Sequence, residues 1–213
     1  MADPTGSIPP PPPPGAGGVP GATSPVAVDF VRDDKVANWR PLLNWLLAIP
    51  HLVILYFLTI VERALTLLSL LLVLFTRRIP DPIFDFRVMV YRYQWRVFSY
   101  VLFMRDEYPP FAFGVSEIDD GLDAARLSVA HPGEMQRWAP LYKWLLALPH
   151  YIVLAFLAIG VSLAMIVAFF AVLFTGKFPR GIRDFVVGTM RWGTRVVAYV
   201  ALLTDEYPPF RLS

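Results

Sequence analysis

The feature that most constrains this chain is a run of 32 residues without a charged side chain, Trp144–Thr175. A straight helix rises about 1.5 Å per residue, so this run would measure about 48 Å, against roughly 30 Å for the hydrocarbon core of a bilayer. The core of a small soluble domain could not cover so long an apolar helix. The run therefore predicts a helix embedded in a membrane.

The chain contains this apolar unit twice. A second run, Leu42–Thr76, lies 99 residues upstream, and the segments Trp39–Phe111 and Trp138–Phe210 align at that offset without a gap. Such self-similarity indicates two copies of one structural unit. The predicted organisation is a tail over residues 1–25, a first repeat over 26–111, a connector over 112–124 and a second repeat over 125–213.

Composition excludes several classes of protein. The chain has no cysteine, which rules out disulfides and thiolate metal sites. Its net charge of +2 comes without a dense Lys/Arg stripe, so nucleic acid is not an expected partner. The proline-rich tail lacks the basic start and apolar stretch of a signal peptide, which predicts a disordered, partly polyproline segment and a cytoplasmic N-terminus.

Each repeat is predicted to contain two membrane helices. Pro50 and Pro149 remove a backbone donor and should kink the chain before a long spanning helix. A short basic turn then leads into a second, more basic helix, which ends before a Pro-Pro pair. The alternation at Val26–Phe30 and Leu127–Val129 predicts short strands outside the membrane. The predicted fold class is therefore an all-α integral membrane protein with short extramembrane strands.

Three topologies are compatible with this pattern. The favoured one is a four-helix bundle with two spans per repeat and a pseudo-twofold axis along the membrane normal. The second has one span per repeat, followed by a helix that lies flat on the surface. In the third, each apolar run stays in one leaflet. Basic residues flank both ends of the runs, so the positive-inside rule does not decide the orientation.

The strongest polar pattern is a stripe on the second helix of each repeat. Steps of seven, four and four residues place its members within an arc of about 80°. Arginine in hydrocarbon costs at least about 2.5–3.5 kcal/mol, so the stripe must face protein, water or headgroups. We consider an internal Asp–Arg network, a polar conduit or an anion- and lipid-binding site. The stripe begins at Asp85 or Asp184, and the candidate binding residues are Arg92, Arg96, Tyr100, Arg191, Arg195 and Tyr199.

Other polar residues are interpreted structurally. The motif Asp-Glu-Tyr-Pro-Pro-Phe ends both repeats, and we interpret it as a latch that binds basic neighbours, Arg40 or Arg137 among them. His51 and His150 follow the kinking prolines and are expected to bond a free carbonyl there, without forming a metal site. Glu62 and Arg63 interrupt the first apolar run, where the second run has Val161 and Ser162, and they suggest a packing contact with the second repeat or a water-accessible bend. The latch residues are Asp106, Glu107, Tyr108, Asp205, Glu206 and Tyr207.

The motifs together resemble a known family. They are W-x-P-L-x-x-W-L-L-A-[IL]-P-H, F-T-x-x-x-P, R-x-x-x-R-V-x-x-Y and D-E-Y-P-P-F, present in both copies. In this combination the chain resembles the bacterial membrane proteins grouped as domain-of-unknown-function family 4389. The first copy departs from the second at Arg77, where the second has Gly176. The resemblance implies residence in a bacterial membrane and transfers no catalytic residue.

The functional expectation is a non-enzymatic, multi-pass protein of the bacterial inner membrane. It would act without a cofactor as a scaffold, accessory or regulatory subunit of an envelope complex. Its expected partners are membrane lipids and either another protein or further copies of itself. The alternatives are a small transporter or channel, and a membrane-shaping hairpin protein.

Overall fold

The computed structural model describes residues 25–30, 35–114, 123 and 125–212. Within them the protein is mostly helical, with a short two-stranded sheet. The predicted tail, apart from residue 25, and most of the predicted connector lie outside the described residues. The elements in chain order are β1 Val26–Phe30, α1 Arg40–Leu47, α2 Ile49–Thr76, α3 Asp81–Val101, β2 Ala125–Val129, α4 Ala139–Leu146, α5 Leu148–Thr175 and α6 Arg180–Val200.

Proline sets where the helices begin. Pro50 and Pro149 occupy the second position of α2 and α5, where an amide proton would have no helical partner. A single alanine, Ala48 or Ala147, separates each of these helices from the short helix before it. The predicted kinks are confirmed, and they turn each apolar run into a short helix followed by a long one.

Both long helices end in a left-handed residue. Gly176 follows α5 with a φ of 65°, and Arg77 follows α2 with a φ of 64°. A side chain at such an angle costs roughly 1–2 kcal/mol, so glycine is the usual residue there. In the first repeat the Arg77 Nε atom donates to the carbonyl of Met135 at 3.3 Å, which gives the arginine a structural role at this position.

The two strands link the repeats symmetrically. They pair antiparallel, and Val28 lies opposite Leu127, its own equivalent at the 99-residue offset. A twofold axis relating the repeats therefore passes through this residue pair. The strands are also exchanged, because β1 of the first repeat packs on α6 and β2 of the second packs on α3.

The repeats are arranged head to tail. The amide of Val36, ahead of α1, donates to the carbonyl of Gly176 at the end of α5, at 3.0 Å. Equivalently, the amide of Met135 ahead of α4 donates to the carbonyl of Arg77 at 2.8 Å. The start of α2 is thus less than about 30 Å from the end of α5, whereas each helix is about 42 Å long. Side-by-side parallel helices would not allow this, so α2 and α5 run in opposite directions.

The second helix of each repeat is the most buried element. Beyond its first turn α3 has no exposed residue among those described, because it lies between β2 and α2. In the same way α6 lies between β1 and α5. The two predicted spans expose large apolar side chains along their whole length, with Phe75 at 75% and Phe174 at 76%.

Within the described residues, two helices are long and apolar enough to cross a membrane, Ile49–Thr76 and Leu148–Thr175. The second, basic helices predicted to lie in the membrane do not have that composition. The close helix–helix contacts join α2 to α3 and α5 to α6. The four-helix bundle stays a prediction.

Candidate functional site

The arginine stripe meets the strands. Arg92 Nε donates to the carbonyl of Leu127 at 2.9 Å, and Arg191 Nε donates to the carbonyl of Val28 at 2.8 Å. Arg191 also forms an ion pair with Asp29 at 3.2 Å. Each arginine therefore binds the central residue of the strand that belongs to the other repeat. These two predicted binding residues clamp the sheet to α3 and α6.

The remaining arginines and tyrosines of the stripe are buried, whereas Asp85 is half-buried and Asp184 is exposed. Arg96 and Arg195 are 4% and 3% exposed, and Arg195 Nη2 donates to the carbonyl of Arg211 at 2.8 Å. Burial lowers the pKa of Arg195. Tyr100 accepts a hydrogen bond from Arg40 at 3.1 Å, and Tyr199 lies 4.7 Å below the ammonium group of Lys143. The structure uses the stripe for internal contacts, and binding of an anion by these residues stays a prediction.

The acids of the predicted latch bind the start of their own repeat. Asp106 accepts hydrogen bonds from the amide of Ala37 at 3.0 Å and forms an ion pair with Arg40 at 3.2 Å. In the second repeat Asp205 lies 2.5 Å from Lys143. Arg40 was one of the expected partners, whereas Lys143 was not. Glu107 and Glu206 are exposed.

The aromatic half of the latch covers the two histidines. Phe111 stacks on His51 at 4.2 Å, and Phe210 stacks on His150 at 3.9 Å. The hydroxyl groups of Tyr108 and Tyr207 donate to the carbonyls at the ends of α1 and α4, at 3.2 and 3.4 Å. Each YPPF motif thus closes over the proline kink of its own repeat.

The histidines themselves bond to side chains. His51 Nδ1 lies 2.6 Å from the hydroxyl of Tyr93, and His150 Nδ1 accepts a hydrogen bond from Trp192 at 3.1 Å. The expected bond to a carbonyl at the kink is therefore wrong. Since indole is only a donor, the proton of His150 must be on Nε2. No group of three metal-ligating side chains occurs in the part of the chain that the structure describes.

A family model describes this repeated unit. The model for a domain of unknown function, DUF4389, matches residues 38–112 and 137–211. The chain belongs to the DUF4389 family. Neither a curated protein nor a solved structure matches it. The two DUF4389 regions contain the three helices and the latch of each repeat, whereas β1 and β2 lie outside both.

The first DUF4389 unit holds a buried polar cluster between α2 and α3. Glu62 and Arg87 form an ion pair at 3.3 Å, with both side chains less than a tenth exposed. Thr66 and Tyr91 donate hydrogen bonds to the Glu62 carboxylate at 2.7 and 2.8 Å. Arg87 also donates to Ser69 at 3.2 Å. Burial and the neighbouring carboxylate raise the pKa of Tyr91, so its hydroxyl stays a donor.

The cluster also connects the repeats. Arg87 Nη2 donates to the carbonyl of Ala201 at the end of α6, at 2.7 Å. The hydrogen bonds of Glu62 go to residues of the first repeat, and its partner Arg87 makes the contact with the second repeat. Burying two charges is costly unless their geometry and remaining hydrogen bonds are good, and here each charge has several partners.

Arg87, like Lys143, is a residue that sequence reasoning missed. The second DUF4389 unit replaces the whole cluster with apolar side chains, so the acid and the base are absent together. That joint replacement is a signal for a contact between them, and the comparison of the two copies at α3 could have found it. The cluster Glu62, Thr66, Ser69, Arg87 and Tyr91 corresponds to Val161, Met165, Ala168, Val186 and Met190.

The cluster borders an open cavity of about 590 Å³, which is lined by parts of α2, α3, α4, α5 and α6. A second cavity of about 480 Å³ lies between α3, α5 and α6. Tyr91 and Val197 belong to the walls of both. Cavities of this size hold small-molecule ligands in many proteins.

Removing the carboxylate of Asp205 should destabilise the protein by an amount that depends on pH, because Asp205 is the ion-pair partner of the buried Lys143. Burial lowers the pKa of Lys143, and Asp205 partly opposes that effect. In Asp205→Asn the folded-state pKa should fall further, so the folded protein binds fewer protons than the unfolded chain up to pH 10.5. We expect a loss of about 1 kcal/mol at pH 7 that diminishes toward pH 10.

Thermal unfolding of this variant and of the parent protein in detergent, between pH 7 and pH 10, measures the effect. The variant's Tm should approach that of the parent as the pH rises. Asp106→Asn is the matched control, because its partner is an arginine that does not titrate in this range. A constant difference in Tm for Asp205→Asn would contradict the prediction.

Proposed function

We propose that this protein is a non-enzymatic scaffold or accessory subunit of the bacterial inner membrane, and that it lies in one leaflet. In this proposal α2 and α5 lie along the membrane plane as a wedge of apolar surface. The sheet and the start of each repeat face the aqueous side, where a protein partner or a second copy could bind. The head-to-tail arrangement of α2 and α5 is the observation that supports it.

The argument depends on the twofold axis. Two helices that run in opposite directions can both span a membrane only if the axis relating them lies in the membrane plane. The Val28–Leu127 pair is on that axis, so the sheet would then lie halfway through the bilayer. The partly exposed Asp29–Arg191 ion pair would then be at the depth of the hydrocarbon, where a charged side chain costs at least about 2.5–3.5 kcal/mol. An axis along the membrane normal avoids this cost, and we propose that α2 and α5 then lie close to the membrane plane.

Arg63 supports the same orientation. It is exposed and lies at the middle of α2, fourteen residues from Ile49 and thirteen from Thr76. In a spanning helix its charge would be at the bilayer midplane, at a cost of at least about 2.5–3.5 kcal/mol. In a helix lying in one leaflet, a long arginine side chain can reach the headgroups.

The short helices have the composition of a membrane interface. Trp39 and Trp138 precede α1 and α4 and are 44% and 62% exposed. Tryptophan is enriched at the headgroup level, where its ring contacts lipid and its N–H remains hydrated. A protein with two apolar helices in one leaflet would expand that leaflet, so the membrane-shaping alternative is part of this proposal. A channel is less well supported, because the arginine stripe binds the strands.

Cysteine labelling in inverted membrane vesicles tests the orientation. The chain has no cysteine, so single cysteines can be introduced without background. We expect Arg78→Cys and Lys177→Cys, at the ends of α2 and α5, to react from the same side as Thr5→Cys in the tail. Leu67→Cys, which is on the exposed face of α2, should resist aqueous reagents from both sides.

The other topologies give different patterns. Spanning helices in opposite directions would place Arg78→Cys and Lys177→Cys on opposite sides of the membrane. Parallel spanning helices, as in the four-helix bundle, would place both on the side opposite to Thr5→Cys. Either result would overturn the one-leaflet orientation.

A further inference from the structure

We propose that the two cavities form one groove that binds an acyl chain of an anionic phospholipid, with the lipid phosphate on Arg63. This proposal rests on the one-leaflet orientation proposed above, because that orientation allows Arg63 at the middle of α2 to reach the depth of the lipid phosphates. It concerns a different surface from the arginine stripe, in which Arg92 and Arg191 bind the strands.

The charges at the cavity leave one arginine uncompensated. Glu62 and Arg63 are consecutive and both line the larger cavity. The Glu62 carboxylate is neutralised by Arg87 at 3.3 Å and hydrogen-bonded by Tyr91 at 2.8 Å. Arg63 has no hydrogen bond or ion pair within the described part of the chain. The mouth of the cavity therefore has a net positive charge, which favours an anionic group over a neutral or cationic one.

Arginine at this position suits a phosphate. Its planar guanidinium can donate two parallel hydrogen bonds to phosphate oxygens, and such bonds are strong in a low dielectric. The cavity beside Arg63 is lined mainly by apolar surface, and its wall includes Leu67 and Trp144. An anion that binds here must therefore carry an apolar part, which a free phosphate ion lacks.

The shape of the groove suits a single chain. The cavities of about 590 and 480 Å³ are on either side of Tyr91 and Val197, and both are lined mainly by apolar side chains. The second cavity continues along α5 past Leu154 and Ala158 and is bounded by Gly193 on α6. A chain that enters beside Arg63 would pass these residues between α3 and α6.

The residues proposed to bind the lipid headgroup occur in the first repeat only. Glu62 and Arg63 correspond to Val161 and Ser162 in the second repeat. The second repeat thus supplies the natural template for a variant that lacks the site. Arg63→Ser introduces a residue that the same family unit already has at this position.

Lipid retention by the full-length protein tests the proposal. The delipidated protein in detergent is titrated with phosphatidylglycerol or phosphatidylcholine of identical chains, and bound lipid is counted by native mass spectrometry. We expect the parent protein to bind one phosphatidylglycerol about tenfold more tightly than phosphatidylcholine, a difference of about 1.4 kcal/mol. Arg63→Ser should bind both lipids equally.

Two further variants distinguish binding of the lipid headgroup from binding of the acyl chain. Arg137→Ser removes an exposed arginine at the start of α4 and should keep the preference. Val197→Phe places a larger side chain at the wall that both cavities share. It should reduce binding of both lipids while Arg63 is intact. Equal retention of the two lipids by the parent protein would overturn the proposal, as would an unchanged preference in Arg63→Ser. Labelling of the cysteine variants is a separate readout, so failure of the one-leaflet orientation would be distinguishable.

Discussion

Replacing Arg87 with valine is expected to lower the free energy of unfolding by about 3–5 kcal/mol. The substitution leaves the Glu62 carboxylate buried, with Thr66 and Tyr91 as donors but no cation. It also removes the donor to the Ala201 carbonyl, which holds the end of α6 against the first repeat. Equilibrium unfolding of the purified protein in mixed micelles measures the loss.

The second repeat supplies the control for this prediction. Glu62→Val together with Arg87→Val copies the residues found there, and removing both charges avoids an unpaired one. Such exchanges are often neutral or stabilising, so the double variant should recover most of the loss. A double variant as unstable as Arg87→Val alone would show that the loss comes from packing or from the Ala201 contact, not from the unpaired carboxylate.

The repeated architecture could be predicted because duplication and proline leave strong local signals. The 99-residue offset defined the unit, and Pro50 and Pro149 fixed the point at which each apolar run bends. The short strands followed from alternation at Val26–Phe30. The repeat follows from comparing the sequence with itself, and the kinks and strands follow from neighbours in the chain, for which periodicity and propensity are informative.

The head-to-tail arrangement could not be predicted in the same way. It depends on the pairing of Val28 with Leu127 and on the contacts of Val36 and Met135 with the ends of the opposite long helices. These contacts join residues about one hundred positions apart or more, or residues separated by a whole helix. Hydropathy gives the length and apolar character of α2 and α5 but not their relative direction. Two copies of one repeat can also be related by symmetry axes of several different orientations.

The arginine stripe shows the same limit at the level of a site. Its spacing on one helix face was evident, and so was the need for a polar partner. The partner, however, is the backbone of a strand from the other repeat, which has no side-chain signature. In the sequence Val28 and Leu127 look like ordinary core residues. Their carbonyls nevertheless accept the hydrogen bonds of Arg191 and Arg92.

Exchanging both arginines for methionine is accordingly expected to detach the sheet. A hydrogen bond from a charged donor contributes about 1.5–3 kcal/mol, so Arg92→Met and Arg191→Met should each destabilise the protein by about that amount. Two strands alone are marginally stable, so the double variant should lose protection of β1 and β2. Hydrogen exchange of residues 26–30 and 125–129, measured by mass spectrometry, reports this loss directly.

The same variants distinguish a structural role from lipid binding by the stripe. If Arg92 and Arg191 clamp the sheet, faster exchange in the strands should occur with phosphatidylglycerol retention unchanged, because that lipid is held at Arg63. If the stripe instead bound headgroups, retention would fall while the strands stayed protected. Arg92→Lys and Arg191→Lys provide the matched control, since lysine keeps the charge but not the planar fork.

Since the two arginines bind the opposed residues of one strand pair, the effects of Arg92→Met and Arg191→Met on the free energy of unfolding should deviate from additivity, as expected for substitutions that share a partner.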